Sequence, residues 1–269
     1  MKKFLLLIFL INTIQGFSQP KKYTTANAHS HNDYEQANPF YEAWENGFGS
    51  IEADIFLHNN KLLVAHTEKE LNDNRTLQSL YLEPLKKVIE QYKGFPYADK
   101  NKELQLLIDI KTDSIKTLDK LIEVCKNYPS IIKCSKIKIT ISGNRPSSEK
   151  FILYPSYIYF DGILSMNYSV QALSKIIMLS DDFKSYSSWT GKDSISKKDW
   201  QTLAAAITKA HHLKKNVRFW DAPDNENSWQ VFMRLQVNFI NTDHIKNSPD
   251  FLIYTNKELK EIVIQKLTH

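Results

Sequence analysis

The feature that most constrains the fold is an alternation in which short β-branched runs are separated by longer amphipathic ones along the whole chain. The strand-like runs are TTANAH, SIEADIF, KLLVAH, LQLLIDIK, KIKITIS, YIYFDGI, NVRFW and VNFINT. Between them lie the helix-like stretches PFYEAWENG, LYLEPLKKVIEQY, SIKTLDKLIEVCKNY, VQALSKIIML, KKDWQTLAAAITKAHHL and SWQVFMRL. Strand then helix, repeated, argues for α/β architecture with a mostly parallel sheet covered by helices, because parallel strands need a crossover to bring the chain back. The 269 residues carry no internal repeat, low-complexity tract or Gly/Ser-rich linker, so the units fall in a single domain. A closed TIM-type (β/α)8 barrel, about 250 residues in its usual form, is the leading architecture. A doubly wound open sheet is the alternative, weakened by the lack of GxGxxG and GxxxxGK[ST] loops.

The first residues point to export. Lys2 and Lys3 precede the apolar run Phe4 to Ile14, and the small residues Gly16 and Ser18 stand at the positions of a cleavage site. The run is shorter than the about 20 apolar residues of a membrane span. We therefore expect a signal peptide over 1–18, a mature barrel over 19–269 without a transmembrane segment, and a periplasmic or secreted location. The formal charge of +5 falls by two when Lys2 and Lys3 leave. Lysines elsewhere are scattered among acids without a basic block, which argues against a nucleic-acid partner. Cys125 and Cys134 are the two cysteines; a bridge and two separate thiols are equally compatible with the sequence.

The unusual polar residues fall where barrel enzymes keep their chemistry, at the C-terminal ends of strands. In SIEADIF, Glu52 and Asp54 share one face of a strand while Ile51, Ala53 and Ile55 take the other. Two inward carboxylates are costly to desolvate unless paired or bound to a cation, and a hard divalent ion takes such oxygens readily. LQLLIDIKTD adds Asp109 on the inward face with Lys111, which either neutralises the acid or holds a substrate phosphate. His66 ends KLLVAH after a short chain reversal that returns it to the same rim. With His31 of NAHSHNDY it offers two imidazoles suited to general acid and base work near neutral pH. Lys138, Thr140 and Ser142 of KIKITIS point inward, and Arg218 and Trp220 of NVRFW share a face that offers a phosphate contact and a stacking wall. Asn241 and Asp243 lie near the rim, and Tyr34 is read as a packing or rim residue.

These segments resemble the phospholipase-C-like phosphodiesterases. SHNDY is similar to the His-Asn-x-Tyr segment of phosphoinositide phospholipases C. GFGSIEADIFLHNNKLLVAH resembles the Glu-x-Asp block and following histidine of glycerophosphodiester phosphodiesterases, LLIDIKTD their acid-x-Lys element, and VNFINTD their closing strand. HSHNDY, NRTLQSLYLEPL, RFWDAP and NTDHI are closer still to the altered-inheritance-of-mitochondria proteins, a branch of the same superfamily. The resemblance runs from His29 to about Ile245. It implies a phosphoric diester hydrolase acting on a small-molecule or lipid-derived phosphodiester. It further implies one divalent cation, Ca2+ or Mg2+, on Glu52, Asp54 and Asp109, with Asn32 added by analogy to the phospholipases. His31 and His66 become the catalytic acid/base pair, one taking a proton from the attacking hydroxyl and the other protonating the leaving alkoxide. His29, Lys111, Arg218 and Trp220 become substrate-binding residues. Two departures stand out: the His-Arg-Gly start of glycerophosphodiesterases is absent, and Asp109 stands where they usually carry Glu.

Two other readings use the same residues. His29-Ser30-His31 fits the His-x-His of amidohydrolase and histidinol-phosphatase-like barrels, where both histidines bind transition metals. Those barrels need further strand-end histidines, and this chain offers few beyond His66 and His244. A non-catalytic barrel that binds phospho-ligands or glycans is the third reading.

Overall fold

The computed structural model describes residues 20, 22–246 and 252; the expected signal peptide lies outside the described residues. The elements run β1 (Ala28–Ser30), α1 (Tyr41–Glu45), β2 (Ser50–His58), β3 (Lys61–Val64), α2 (Glu83–Gln91), β4 (Leu104–Ile110), α3 (Ser114–Cys125), α4 (Pro129–Lys133), β5 (Ile137–Gly143), β6 (Ile158–Ile163), α5 (Val170–Lys175), β7 (Ile176–Asp182), α6 (Lys197–His212), β8 (Asn216–Trp220), α7 (Glu226–Arg234) and β9 (Ile240–Thr242). Every strand except β3 joins one parallel sheet in the spatial order β8-β7-β6-β5-β4-β2-β1-β9. The ends meet: Arg218 of β8 bridges Phe239 beside β9, and the Asn238 and Phe239 amides both donate to the Val217 carbonyl, at 3.1 and 3.0 Å. The chain is a TIM-type barrel, nearly closed, with β8 and β9 as its narrow seam.

Two strand assignments differ from the sequence reading. KLLVAH supplies β3, an antiparallel hairpin arm on β2, and not a barrel stave. The missing stave is β7, Ile176–Asp182, which the sequence reading placed in the tail of a helix. Four apolar residues in a row, Ile176 to Leu179, satisfy a helical and a buried-strand pattern alike, so periodicity alone could not separate them. Ser169 caps α5 by accepting from the Ala172 amide, and Ile176 is already extended. At the start of the barrel, Thr25–Asn27 form a 3-10 turn capped by Thr24, so TTANAH contributes to the sheet only from Ala28.

Strand alternation sorts the side chains. Ile51, Ala53, Ile55, Leu106, Ile108, Ile139 and Ile141 face outward and are buried under the helices, meeting Leu118, Leu121, Leu203 and Ile207. Each fully buried Leu or Ile contributes about 1.5–3 kcal/mol, so this sleeve between sheet and helices holds the fold. The inward face is polar. Thr140 donates to Gln105 Oε1 (3.2 Å), Gln105 Nε2 donates to Ser50 Oγ (2.8 Å), Ser50 Oγ meets His29 Nδ1 (2.7 Å), and Arg218 Nη1 donates to His29 Nε2 (2.8 Å). Buried polar groups persist because they satisfy one another in this way. Cys125 is buried and Cys134 partly so, and both are free thiols. Among the described residues no helix is long and apolar enough to cross a membrane.

Candidate active site

The loop that follows β1 is shaped by Asp33. Its carboxylate is fully buried and accepts from Ser30 Oγ (2.7 Å), the Phe40 amide (2.6 Å) and the Tyr81 hydroxyl (3.0 Å). The Arg75 guanidinium donates to the Tyr34 carbonyl. Asn32 takes a left-handed backbone (φ 46°), a conformation that asparagine tolerates better than most residues. The turn thus presents His31, Asn32 and Tyr34 at the C-terminal mouth of the barrel.

Tyr34 is more than packing. Its buried hydroxyl lies 2.7 Å from Asp54 Oδ2, 2.8 Å from Asn32 Oδ1 and 3.1 Å from His66 Nδ1. It therefore ties together three residues singled out in the sequence. His66 itself is exposed on the rim, 4.0 Å from Asp54.

Asp54 and Asp109 are register partners on neighbouring strands. Lys111 Nζ sits between them, 2.9 Å from Asp54 Oδ2 and 2.5 Å from Asp109 Oδ2, while Ser142 donates to Asp109 Oδ1 at 2.7 Å. Burial and the Glu52 charge push Asp54 up to about 6, against the pull of Lys111. Burial opposes the Lys111 charge, but the two carboxylates outweigh it and hold the ammonium above its usual range. Among the described residues, Asp54 Oδ1 is buried without a partner.

Deeper in the barrel, His29 is fully buried. His29 Nε2 faces the Arg218 Nη1 donor at 2.8 Å and the Glu52 Oε2 acceptor at 3.2 Å, while Nδ1 meets Ser50 Oγ at 2.7 Å. Burial and the Arg218 charge lower the His29 pKa to about 4, so the ring is neutral at pH 7. Glu52 lies 3.2 Å from His29 and 3.8 Å from Arg218. Burial opposes its ionised form, but those contacts outweigh burial and keep its pKa below the usual carboxylate range. His31 behaves differently. Burial lowers its pKa, but a 2.9 Å hydrogen bond from Nδ1 to Asp243, with the Glu52 and Asp243 charges, raises it overall above the ordinary imidazole value. Asp243 is itself held by its own amide, which donates to Asp224 at 2.8 Å.

A cavity of about 420 Å3 opens here, with His31, Glu52, Asp109, Lys111, Arg218 and Trp220 in its wall. Of the residues singled out in the sequence, His29, Asn32, Asp54 and His66 stand behind or beside this wall. The sequence reading missed Arg145, Asp161, Ser180 and Asp181, which complete it. Asp161 is buried, accepts from Ser180 at 2.5 Å and stands 3.8 Å from Arg218. Its inward position could have been found from the alternation of YIYFDGI, whereas Ser180 and Asp181 were hidden by the helical reading of β7. A groove of about 570 Å3 adjoins the cavity and shares Gly143, Arg145 and Ile163 with it.

The expected cation ligands are not assembled around a common point. Among the described residues no three His, Cys, Asp or Glu side chains converge to hold a metal ion. Lys111 fills the gap between Asp54 and Asp109, Tyr34 occupies the Asn32 oxygen, and Glu52 faces His29 and Arg218. The two halves of His29-Ser30-His31 are also separated in role, with both ring nitrogens of His29 in contact with protein groups.

Fold and site together define a TIM-type barrel with a mixed acidic and cationic pocket at the C-terminal ends of its strands. Residues 20–129 match the model of the AIM6-like phosphodiesterase domain, and residues 216–245 that of the glycerophosphoryl diester phosphodiesterase family. The chain is 28% identical over 261 residues to altered inheritance of mitochondria protein 6 of Eremothecium gossypii, covering 81% of this chain and 67% of that protein. It is 26% identical over 257 residues to a homolog from Arthroderma benhamiae, covering 81% of each. A solved glycerophosphodiester phosphodiesterase from Parabacteroides distasonis superposes with a TM-score of 0.48 at 17% identity, over 89% of this chain and 96% of that one. By its two family-model matches and these relatives, the chain is similar to the glycerophosphodiesterase-like superfamily, near the branch of the altered-inheritance-of-mitochondria proteins.

Proposed function

We propose that this protein is an exported phosphoric diester hydrolase in which His31 acts as a general acid/base. The observation that carries this reading is the His31–Asp243 pair on the wall of a cavity that also holds Lys111, Arg145 and Arg218. With Nδ1 bonded to Asp243, His31 keeps Nε2 for a proton of the reacting oxygen, and the raised pKa suits exchange near neutral pH. Arg218 and Lys111 are placed to receive the negative charge that gathers on phosphoryl oxygens. His66, joined to the site through Tyr34, is the second acid/base group of the proposal. Trp220, 41% exposed, offers a face for the group attached to phosphorus.

In this reading a divalent cation, Ca2+ or Mg2+, would be held by Asn32, Glu52, Asp54 and Asp109 and would neutralise charge on the phosphoryl oxygens. Its binding requires Lys111 to leave the gap between the two aspartates.

The test is a panel of glycerophosphodiesters, lipid headgroup diesters and sugar-linked diesters, assayed after chelation and again with added Ca2+ or Mg2+. We expect turnover of at least one member, with His31→Ala lowering it about 10²–10⁴-fold. Loss on chelation and recovery with the ion would support the cation; full activity after chelation would remove it. If His31→Ala and His66→Ala both leave the rate unchanged, the assignment of histidine roles is wrong. N-terminal sequencing of the secreted chain checks cleavage after Ser18.

A further inference from the structure

A second cavity, of about 360 Å3, lies at the opposite end of the barrel. It is walled by residues at the beginnings of strands: Gln105 of β4, Lys138 of β5, Tyr159 of β6 and Asn216 of β8, with Lys214 and Lys215 just before β8. Lys175, 7% exposed, stands beside it, and its ammonium and that of Lys138 lie 5.7 and 5.5 Å from the Tyr159 ring centroid.

Among the described residues these cations have no counter-charge within ion-pair distance. Lys138 donates to the Ser135 carbonyl (2.9 Å), Lys215 to the Leu173 carbonyl (2.7 Å), and Lys175 to the Tyr154 and Pro155 carbonyls (3.2 and 2.6 Å). Among the described residues, the lysines paired with carboxylates are Lys61, Lys111, Lys120, Lys136, Lys184 and Lys246, none of them in this group. The one carboxylate in the wall, Glu103, is 3.5 Å from Lys136. Burial lowers the pKa of Lys175 and of Lys215, as expected for ammonium groups withdrawn from water without a partner anion. A half-buried cation that finds only carbonyl dipoles is stabilised further by any anion that reaches it.

We propose that this cavity is a second ligand site, distinct from the candidate active site, that binds a compact phosphate-type anion through Lys138, Lys214 and Lys215. The concave wall and the volume favour a small anion over an extended polyanion, which would need a basic surface track. The proposal does not depend on the hydrolase reading, because it uses none of the residues at the other mouth.

Hydrogen–deuterium exchange of the full chain tests it, with inorganic phosphate compared against sodium chloride at equal ionic strength. We expect phosphate to slow exchange in peptides spanning 133–140 and 211–216. The double variant K138Q/K214Q should weaken this effect at least about tenfold in phosphate concentration, while His31→Ala leaves it intact. The single variant K214E, at an exposed position, gives the same direction of change without disturbing a buried residue. The proposal fails if phosphate protects only peptides of the C-terminal mouth, if it protects nothing, or if protection of the two peptides survives in a folded K138Q/K214Q protein.

Discussion

Asp33 shows how one buried acid sets the shape of a loop at the barrel mouth and leaves a mark on stability. Three donors hold it, yet burial pushes its carboxyl up to about 6 from 3.8. Between those values the folded protein keeps a proton that the unfolded chain has released, so this group makes stability fall as pH rises through that window. The shift corresponds to about 3 kcal/mol. Asp33→Asn removes the titration; with its carbonyl oxygen toward the Phe40 amide and the Tyr81 hydroxyl, its N–H replaces the oxygen that accepts from Ser30, whose hydroxyl must turn to accept, so the variant is less stable at low pH. In urea unfolding, its deficit relative to the parent should shrink by up to about 3 kcal/mol between about pH 4 and about pH 7. A deficit that stays constant with pH would show that Asp33 does not titrate in that window. His29, by contrast, is neutral and locked, and its place in the HSHNDY motif reflects a buried hydrogen bond rather than exposed chemistry.

At the scale of elements, the end of β5 controls the two aspartates. Gly143 has φ 66°, and a Cβ there would stand 2.6 Å from the Ile110 carbonyl and 2.7 Å from Asp109 Oδ1. Gly143→Ala should therefore lower stability by about 1 kcal/mol or more and displace Asp109 from Lys111; thermal unfolding and turnover of the same preparation would both report it. An unchanged melting temperature would mean that β5 yields easily here. Strands with clean alternation, such as SIEADIF and LQLLIDIK, were legible because period two separates an acidic face from an apolar one. β7 was not, because a run apolar on both faces has no period. With it went Ser180 and Asp181. Arg145 was illegible for another reason: it lies in an irregular segment after β5, where only the three-dimensional path brings it to the cavity. The His31–Asp243 pair joins the first and last strands of the barrel, a contact no local pattern encodes.

For the whole molecule, the closure of the barrel is uneven. β1 and β9 are three residues each, and β8 meets β9 through one bridge, whereas β4 and β5 pair along seven residues. Short ladders open at lower cost than long ones. Amides of 28–30 and 240–242 should therefore exchange with solvent faster than those of 104–110 and 137–143; equal rates would mean that the barrel opens as one unit. Since His31 follows β1 and Asp243 follows β9, that pair straddles the weakest stave. The polar axis carries a different consequence. Because the apolar sleeve lies outside the sheet, the residues along the axis are released from the task of holding the molecule together. Selection can exchange one hydrogen-bonded set there for another and so change the reaction, while the architecture is inherited intact.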